Sequence, residues 1–147
     1  MKTPLAFVGK GVKINSKVYQ EKILRDVVYP WAQKHFKNMP WELQKDWALA
    51  YASKSSIALC NELFSIVWNQ TIWPSNSPDL NPMGYSVSSM EGKIPASKNT
   101  LIVQLKETLQ KVWNEITIQE LTSITDNFIE CLKVCIAAKG GNFENFL

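Results

Sequence analysis

Carboxylates are the side chains of this sequence best suited to chemistry. Asp46 lies near the end of a segment, Trp41 to Leu49, in which side chains alternate between two faces. Such alternation is the pattern of a β-strand. The sequence contains no phosphate-binding glycine loop and no serine nucleophile motif. Any catalysis must therefore depend on carboxylates, whose oxygens are the ligands that hard divalent ions such as Mg²⁺ prefer.

The cysteines indicate neither a disulfide framework nor a zinc site. Cys60, Cys131 and Cys135 form an odd and sparse set, which suits a reducing compartment. Cys131 and Cys135 have the spacing of a metal pair on a predicted helix, but His35 is the single histidine and no fourth ligand is evident. We interpret the three cysteines as buried thiols.

Length and composition are typical of one globular domain. The chain has 147 residues, of which 46% are hydrophobic and 20% charged. No apolar run approaches the ~20 residues that cross a bilayer. The apolar stretch after Met1 is also shorter than the ~7 to 15 residues of a secretory signal core. The sequence therefore predicts an intracellular protein with no membrane partner.

Positive charge is concentrated near the N-terminus. Residues 1–54 hold ten Lys and Arg against four Asp and Glu, whereas residues 55–147 hold six against nine. Basic side chains bind DNA phosphates by releasing counterions, but an ordinary solvated surface explains them equally well. The candidate phosphate contacts are Lys10, Lys13, Lys17, Lys22 and Arg25.

Short elements are predicted in the N-terminal half. Residues 4–8 are interpreted as a strand ended by a turn at Gly9 and Gly11. Asn15 or Ser16 caps a following helix, which Pro30 interrupts before a second helical piece at residues 31–36. The apolar residues that recur every four positions on the first helix are Tyr19, Ile23 and Val27.

A further helix of this half is predicted to begin after Ser53, which has the side chain of an N-cap. Its apolar face comprises Ile57, Cys60 and Phe64. Residues 64–68 and 71–73 are further strand candidates. The predicted organisation up to residue 73 is therefore a mixture of strands and helices.

The C-terminal part is predicted to be helical. Asn81 and Pro82 begin one helix, because Asn accepts from unpaired amides and Pro occupies the first helical position. Residues 117–120 form a capping box between two later helices, and Gly140 with Gly141 ends the second. Their apolar stripes are Leu101, Leu105, Leu109, Val112 and Ile116, and Leu121, Ile124, Phe128, Leu132 and Cys135. We interpret these helices as packing elements.

Two segments resemble metal-ligand motifs of mariner-type transposases. Residues 73–85 match the family's W-P-x-x-S-P-D-L-N-P-M-D-Y at every defined position except Gly84, where the family carries a carboxylate. Residues 44–51 are similar to its Q-Q-D-x-A-P-x-H. Asp46 and Ala48 match there, and the departures are Lys45, Leu49 and Tyr51.

The resemblance extends over nearly the whole chain. Residues 4–19 look like the family's P-L-x-F-V-x-K-G-V-K-I-N-x-x-V-Y, and residues 133–144 look like its K-x-C-I-x-A-K-G-G-x-F-E. It implies a C-terminal part of the catalytic domain of a DDE/D superfamily transposase. The implied fold is α/β: a truncated ribonuclease H-like fold, with an incomplete sheet, flanking helices and a helical C-terminal part. Residues 1–147 would be a single partial domain without its first strands and its N-terminal DNA-binding region.

In this family three acids hold two Mg²⁺ or Mn²⁺ ions. One ion activates water or a 3′-hydroxyl, and the other stabilises the leaving oxygen at a DNA phosphate. The resemblance implies that Asp46 is a retained metal ligand and that Gly84 is a lost one. The first acid of the family precedes the matched region. We interpret Asp79 as a turn residue, and Glu91 is no better a substitute, so productive metal binding is not expected.

Three functions follow from the residues and the resemblance. The leading hypothesis is a catalytically inactive transposase relic, nuclear by resemblance, that binds DNA weakly and without sequence preference. The alternative is a host-recruited interaction module whose C-terminal helices bind a protein or form a homo-oligomer. The third is an active nuclease in which Asp46 acts with other acids. Because the first strands of the sheet would be missing, the chain is expected to fold poorly alone.

Overall fold

The computed structural model describes residues 2–37, 39–48, 51–73, 80–94 and 102–139. The chain divides into two compact units, residues 1–76 and 77–147, and each is described by itself. That residues 1–147 form a single partial catalytic domain stays a prediction.

A continuous helical run opens the first unit. It consists of α1 (Ser16–Val18), a π-helical segment (Tyr19–Val28) and α2 (Tyr29–Phe36). The Asn15 side chain accepts from the amide of Val18 at 3.0 Å, which confirms the predicted cap. Pro30 was expected to interrupt the helix, but the helical run continues through it, from the π-helical segment into α2.

The π-helical segment changes which side chains face the core. Its backbone bonds run from residue i+5 to residue i, as from the Tyr29 amide to the Leu24 carbonyl, and because this turn is wider than an α-helical turn, residues four and five apart both lie near one face. Tyr19 and Leu24 are accordingly buried. The predicted face of Tyr19, Ile23 and Val27 is correct for Tyr19, which is buried, and for Ile23, which packs against the buried cluster; Val27 is half-buried.

The core of the first unit forms where this helical run meets α3 (Lys54–Leu63). The buried cluster consists of Tyr19, Leu24, Leu59, Cys60 and Phe64. Ser53 caps α3 by accepting from the amide of Ser56 at 3.2 Å, as the sequence predicted. Rings of Tyr29 and Trp41 lie against Phe64, with centroids 6.0 and 5.3 Å away. Aromatic packing therefore contributes much of this unit's apolar contact.

The described residues contain no β-sheet, so the predicted α/β, ribonuclease H-like fold is wrong. Residues 4–8 form no strand, and residues 71–73 lie in a turn. An isolated parallel bridge joins Leu43 to Val67. The Leu43 amide donates to the Ile66 carbonyl at 2.9 Å, and the Trp68 amide donates to the Leu43 carbonyl at 3.1 Å.

The predicted strands failed because alternation and pairing are different properties. Alternating side chains in residues 41–48 indicate an extended backbone with one buried face. A strand also needs successive hydrogen bonds to a neighbouring strand. Among the described residues, the segment 64–68 pairs with residues 41–48 only at the bridge between Leu43 and Val67. Leu49, the last residue of the predicted strand, lies outside the described residues.

Three helices make up the described part of the second unit: α4 (Pro82–Lys93), α5 (Ile102–Glu115) and α6 (Ile118–Ala137). Asn81 accepts from the Met83 amide at 3.1 Å, and Pro82 occupies the first turn, as predicted. α4 packs against both α5 and α6, and the buried apolar residues include Val112, Ile116 and Cys131. Leu101, Gly140 and Gly141, named in the sequence predictions, lie outside the described residues.

The predicted capping box is present at the start of α6. The Glu120 amide donates to Thr117 Oγ1 at 3.1 Å, and the Thr117 amide donates to Glu120 Oε2 at 2.6 Å. Lys93 Nζ, at the end of α4, lies 2.7 Å from Glu120 Oε1. The hydrogen bond from Lys93 is the main cause that lowers the pKa of Glu120 to about 2, and the hydrogen bonds from Thr117 lower it further. One carboxylate therefore caps α6 and ties it to α4.

Candidate functional site

Asp46 lies in the first unit, on the extended segment that contains the bridge residue Leu43. Its side chain is exposed, and Oδ1 accepts from the Ala48 amide over 3.3 Å, a long distance for an N–H···O bond. The carboxylate is therefore held near the backbone but open to solvent. Glu42, the other acid of the segment, accepts a hydrogen bond from Trp68 Nε1.

Lys45, next to Asp46, is buried with 8% of its surface exposed. Its ammonium donates to the Tyr51 carbonyl at 2.8 Å and lies 4.2 Å from the centre of the Trp47 ring. Burial lowers the pKa of Lys45, while Cys60 and Asp46 oppose that shift. Because the bond joins residues 45 and 51, it closes the loop that follows Asp46.

Two further contacts hold this loop against the unit. Trp47 Nε1 donates to the Trp73 carbonyl at 2.8 Å, and the Tyr51 ring lies 4.3 Å from that of Tyr19. Burial is the main cause that raises the pKa of Tyr19. Burial also raises the pKa of the Cys60 thiol, against the opposing charge of Lys45. Asp46 is thus an exposed acid on a loop whose neighbours are mostly buried.

Sequence reasoning treated Lys45 only as a departure from the family motif and missed its burial. The signal was its position. Lys45 has the same parity as Trp41, Leu43 and Trp47, so the alternation that predicted a buried face for those residues also predicts it for Lys45.

Gly84 lies in the second unit, in the first turn of α4. Its amide donates to the Asn81 carbonyl at 2.9 Å, and it is exposed. Glycine has no side-chain oxygen for a metal ion. Glu91 is exposed near the end of the same helix, and Asp79 lies outside the described residues.

Across the part of the chain that the structure describes, no group of three or more His, Cys, Asp or Glu residues has the arrangement of a metal site. Of the two positions that the resemblance assigned, Asp46 has a carboxylate and Gly84 does not. This donor set does not fit the two-ion arrangement that the family motif implies. Metal binding by Asp46 stays a prediction.

The predicted DNA contacts lie at the beginning of the first unit. Lys10, Lys13 and Lys17 are exposed. The turn between them closes with a bond from the Val12 amide to the Gly9 carbonyl at 3.1 Å. Gly11 in this turn has a φ of 78°, a left-handed conformation that glycine adopts without steric cost.

Two other predicted contacts differ in their surroundings. Lys22 pairs with Asp26 at 2.9 Å, so its charge is partly compensated. Arg25 is exposed on the π-helical segment. The first unit as a whole holds ten Lys and Arg against five Asp and Glu, and DNA binding by these residues stays a prediction.

Comparison with known proteins indicates a relationship to a transposase. The chain is 26% identical over 120 residues to the transposase of the transposable element Tcb1 from Caenorhabditis briggsae. The alignment covers 82% of this chain and 42% of that protein, so the chain spans less than half the length of this relative. No family model matches the sequence, and no solved structure matches it. Among the described residues, no helix is long and apolar enough to span a membrane.

Proposed function

We propose that the chain derives from the C-terminal part of a mariner-like DDE/D transposase catalytic domain, does not cleave DNA, and binds DNA weakly without sequence preference. The alignment with the Tcb1 transposase, over 82% of this chain, carries the proposal. The proposed origin does not depend on a ribonuclease H-like sheet.

The similarity to a transposase also leads us to propose a nuclear location, which imaging of a tagged chain would test.

Loss of cleavage follows from the ligands that the chain supplies. Mg²⁺ and Mn²⁺ need several oxygen ligands in a defined geometry, and two-ion catalysis needs acids shared between the ions. Asp46 supplies one exposed carboxylate, whereas Gly84 supplies none. One carboxylate is too little to hold two ions at the spacing that in-line displacement requires.

Cleavage is tested with the purified chain, supercoiled DNA, and Mg²⁺ or Mn²⁺. We expect no nicking by the natural chain, and none by the Asp46→Ala variant that serves as its control. Metal-dependent nicking that disappears in Asp46→Ala would overturn the proposed inactivity and favour the third function, an active nuclease.

DNA binding is supported by the exposed lysines of the first unit. Lys10 lies in the turn near the N-terminus, Lys13 lies just after it, and Lys17 lies in α1. Each phosphate that a protein neutralises contributes roughly 0.9 to the slope of log affinity against log salt. The expected binding is therefore weak, steeply dependent on salt, and similar for unrelated sequences.

The binding test is fluorescence anisotropy with two unrelated duplexes over a series of salt concentrations. Replacing Lys10, Lys13 and Lys17 together by Gln should reduce the salt slope by roughly 2 to 3. A matched variant replaces Lys106, Lys111 and Lys139 of the second unit by Gln and should retain the slope. Undetectable binding at low salt, or equal loss in both variants, contradicts the proposed surface.

A second candidate function is a host-recruited interaction module. The observation that favours it is the exposure of large apolar side chains on α5 and α6, which include Val103 at 64% and Ile136 at 76%. A stable cellular complex that is lost on changing Leu105, while the chain stays folded, would favour this function over DNA binding.

A further inference from the structure

An uncharged stripe runs along one side of α6, where five of its six residues are exposed and Leu132 is half-buried. We define the α6 stripe by its six residues: Ile118, Thr122, Thr125, Ile129, Leu132 and Ile136. Their intervals alternate between four and three residues, which is the heptad spacing of a helix that pairs with another helix. From first to last residue the stripe covers about 27 Å at a rise of ~1.5 Å per residue.

The isoleucines of the stripe are unusually open to solvent. Ile118 is 68% exposed, Ile129 is 53% exposed and Ile136 is 76% exposed. Single exposed apolar side chains are common on protein surfaces. Three on one face of one helix, at heptad spacing, indicate instead a surface suited to contact.

The two threonines leave the stripe largely apolar. Thr122 Oγ1 donates to the Ile118 carbonyl at 3.0 Å, and Thr125 Oγ1 donates to the Thr122 carbonyl at 2.8 Å. Their hydroxyl protons are thus bonded within the helix. Burying the stripe therefore leaves no hydroxyl donor without an acceptor.

The stripe is distinct from the face on which α6 packs within its own unit. Cys131 is buried there, and Leu121, Ile124 and Phe128 are half-buried. In a straight α-helix the stripe lies about 100° around the axis from the centre of that face. A partner can therefore cover most of the stripe while the unit keeps its own packing.

We propose that α6 pairs with α6 of a second copy of this chain, in antiparallel orientation. The spacing is self-complementary about Asn127: Ile118 lies opposite Ile136, Thr122 opposite Leu132, and Thr125 opposite Ile129. Each contact occurs twice about the two-fold axis, as a symmetric dimer requires.

Charge beside the stripe selects the antiparallel orientation. Asp126 and Lys133 are exposed, and each follows a stripe residue by four positions, so both lie on the same edge. Lys133 Nζ also lies 2.7 Å from Glu130 Oε1 of its own helix. An antiparallel pair brings this same edge of both copies together, so that Lys133 lies about five residues, or roughly 7.5 Å along the axis, from Asp126 of the other copy, whereas in a parallel pair the two equivalent edges lie on opposite sides.

The dimer is expected to be weak and reversible. The stripe covers fewer than three heptads, and two of its six positions are threonine. Its area is smaller than the ~1,200 to 2,000 Å² of a standard stable interface. Self-association should therefore depend on protein concentration.

The test is sedimentation velocity of the full chain over a range of concentrations. The sedimentation coefficient of the natural chain should rise with concentration. Replacing Ile129 and Ile136 together by Gln should abolish the rise. A matched variant replaces two exposed isoleucines of the first unit, Ile66 and Ile72, which are 45% and 57% exposed, by Gln and should leave it unchanged.

A strengthening variant keeps the proposal testable if the glutamine variant unfolds. Thr125→Ile adds apolar surface twice per dimer and should tighten association about tenfold. A chain that is monomeric at every concentration, or a dimer that neither the Thr125 nor the Ile129 and Ile136 changes affect, overturns the proposal.

Orientation is tested by exchanging charge. Asp126→Lys and Lys133→Asp should each weaken association, and the double variant should restore it because the two residues face each other across copies. If both single variants weaken association and the double variant does not recover, the antiparallel arrangement is wrong.

Discussion

The two units of this chain are stabilised in different ways. The first has a buried aromatic core, a π-helical segment and a buried lysine. In the second, side chains cap the starts of α4 and α6, and one carboxylate joins these two helices. The first unit therefore depends on contacts between residues distant in sequence, whereas in the second much of the structure is specified within a few residues. The predictions below test this difference.

The largest effect is expected from Phe64→Ala in the first unit. Phe64 is 4% exposed and contacts two aromatic rings, so its removal should lower the free energy of unfolding by about 3 to 5 kcal/mol. Urea denaturation followed by tryptophan fluorescence measures this unit preferentially, because five of the six tryptophans lie in it. The neighbouring Ile66→Ala, at an exposed position, should change stability by less than about 0.5 kcal/mol. Equal effects of the two changes would contradict a core centred on Phe64.

Lys45→Ala should destabilise the first unit by about 1 to 3 kcal/mol, because it leaves the Tyr51 carbonyl without its donor. Lys45→Met keeps the apolar stem and tests whether packing or the hydrogen bond matters more. If Lys45→Ala loses stability and Lys45→Met loses little, the effect comes from packing of the side-chain stem. Urea midpoints at pH 7 make the comparison.

The same residue predicts a dependence on alkaline pH. Burial lowers the pKa of Lys45 in the folded chain, so the unfolded chain binds more protons as pH approaches 10.5, the ordinary lysine value. Its contribution to stability should therefore rise with pH from the lowered folded value up to that point. The stability difference between the natural chain and Lys45→Met should grow over this window. A difference that is constant with pH would contradict a perturbed Lys45.

Thr117→Ala should cost about 1 kcal/mol, the usual loss for an N-cap. The change removes the acceptor of the Glu120 amide in the second unit. Far-UV circular dichroism during urea unfolding should detect it, and Ser123→Ala, at an exposed position in the second turn of α6, serves as the matched control. An equal loss in both variants would show that the capping bond contributes nothing specific.

The smallest effect is expected from Glu120→Gln and should depend on acid pH. The folded pKa of Glu120 is lowered to about 2 from an ordinary 4.5. Its contribution is therefore fully present above 4.5 and is lost as pH falls toward 2. The natural chain and the Gln variant should converge in melting temperature over that interval. Because the carboxylate is exposed, high salt should reduce the difference.

Local signals explain how much of the second unit was predictable. Asn81 with Pro82, and Thr117 with Glu120, act within three residues of themselves, so their types and spacing predict the helix starts directly. The isolated bridge that stands in place of a sheet in the described part of the first unit was not predictable in this way. Leu43 bonds to a segment more than twenty residues away, and alternation in residues 41–48 does not report whether such a partner forms a full ladder.

In the candidate site, too, some features follow from the local sequence and others from contacts made on folding. The motif around Gly84 and the match at Asp46 are properties of the sequence, and so is the lack of a second carboxylate at position 84. The alternation places Lys45 on the apolar face and Asp46 on the opposite one, whereas the bond from the Lys45 ammonium to the Tyr51 carbonyl is decided by how the chain folds back.

By itself, the sequence determined the transposase resemblance, the missing ligand and the capped helices, because each depends on residue identity over short intervals. Only the tertiary structure decided that the described residues form an isolated bridge in place of a sheet, that Leu24 is buried beside Tyr19 on the π-helical segment, and that the isoleucines of the α6 stripe are exposed. Those outcomes depend on which distant surfaces meet, and a local pattern shows that a face is apolar without specifying what covers it.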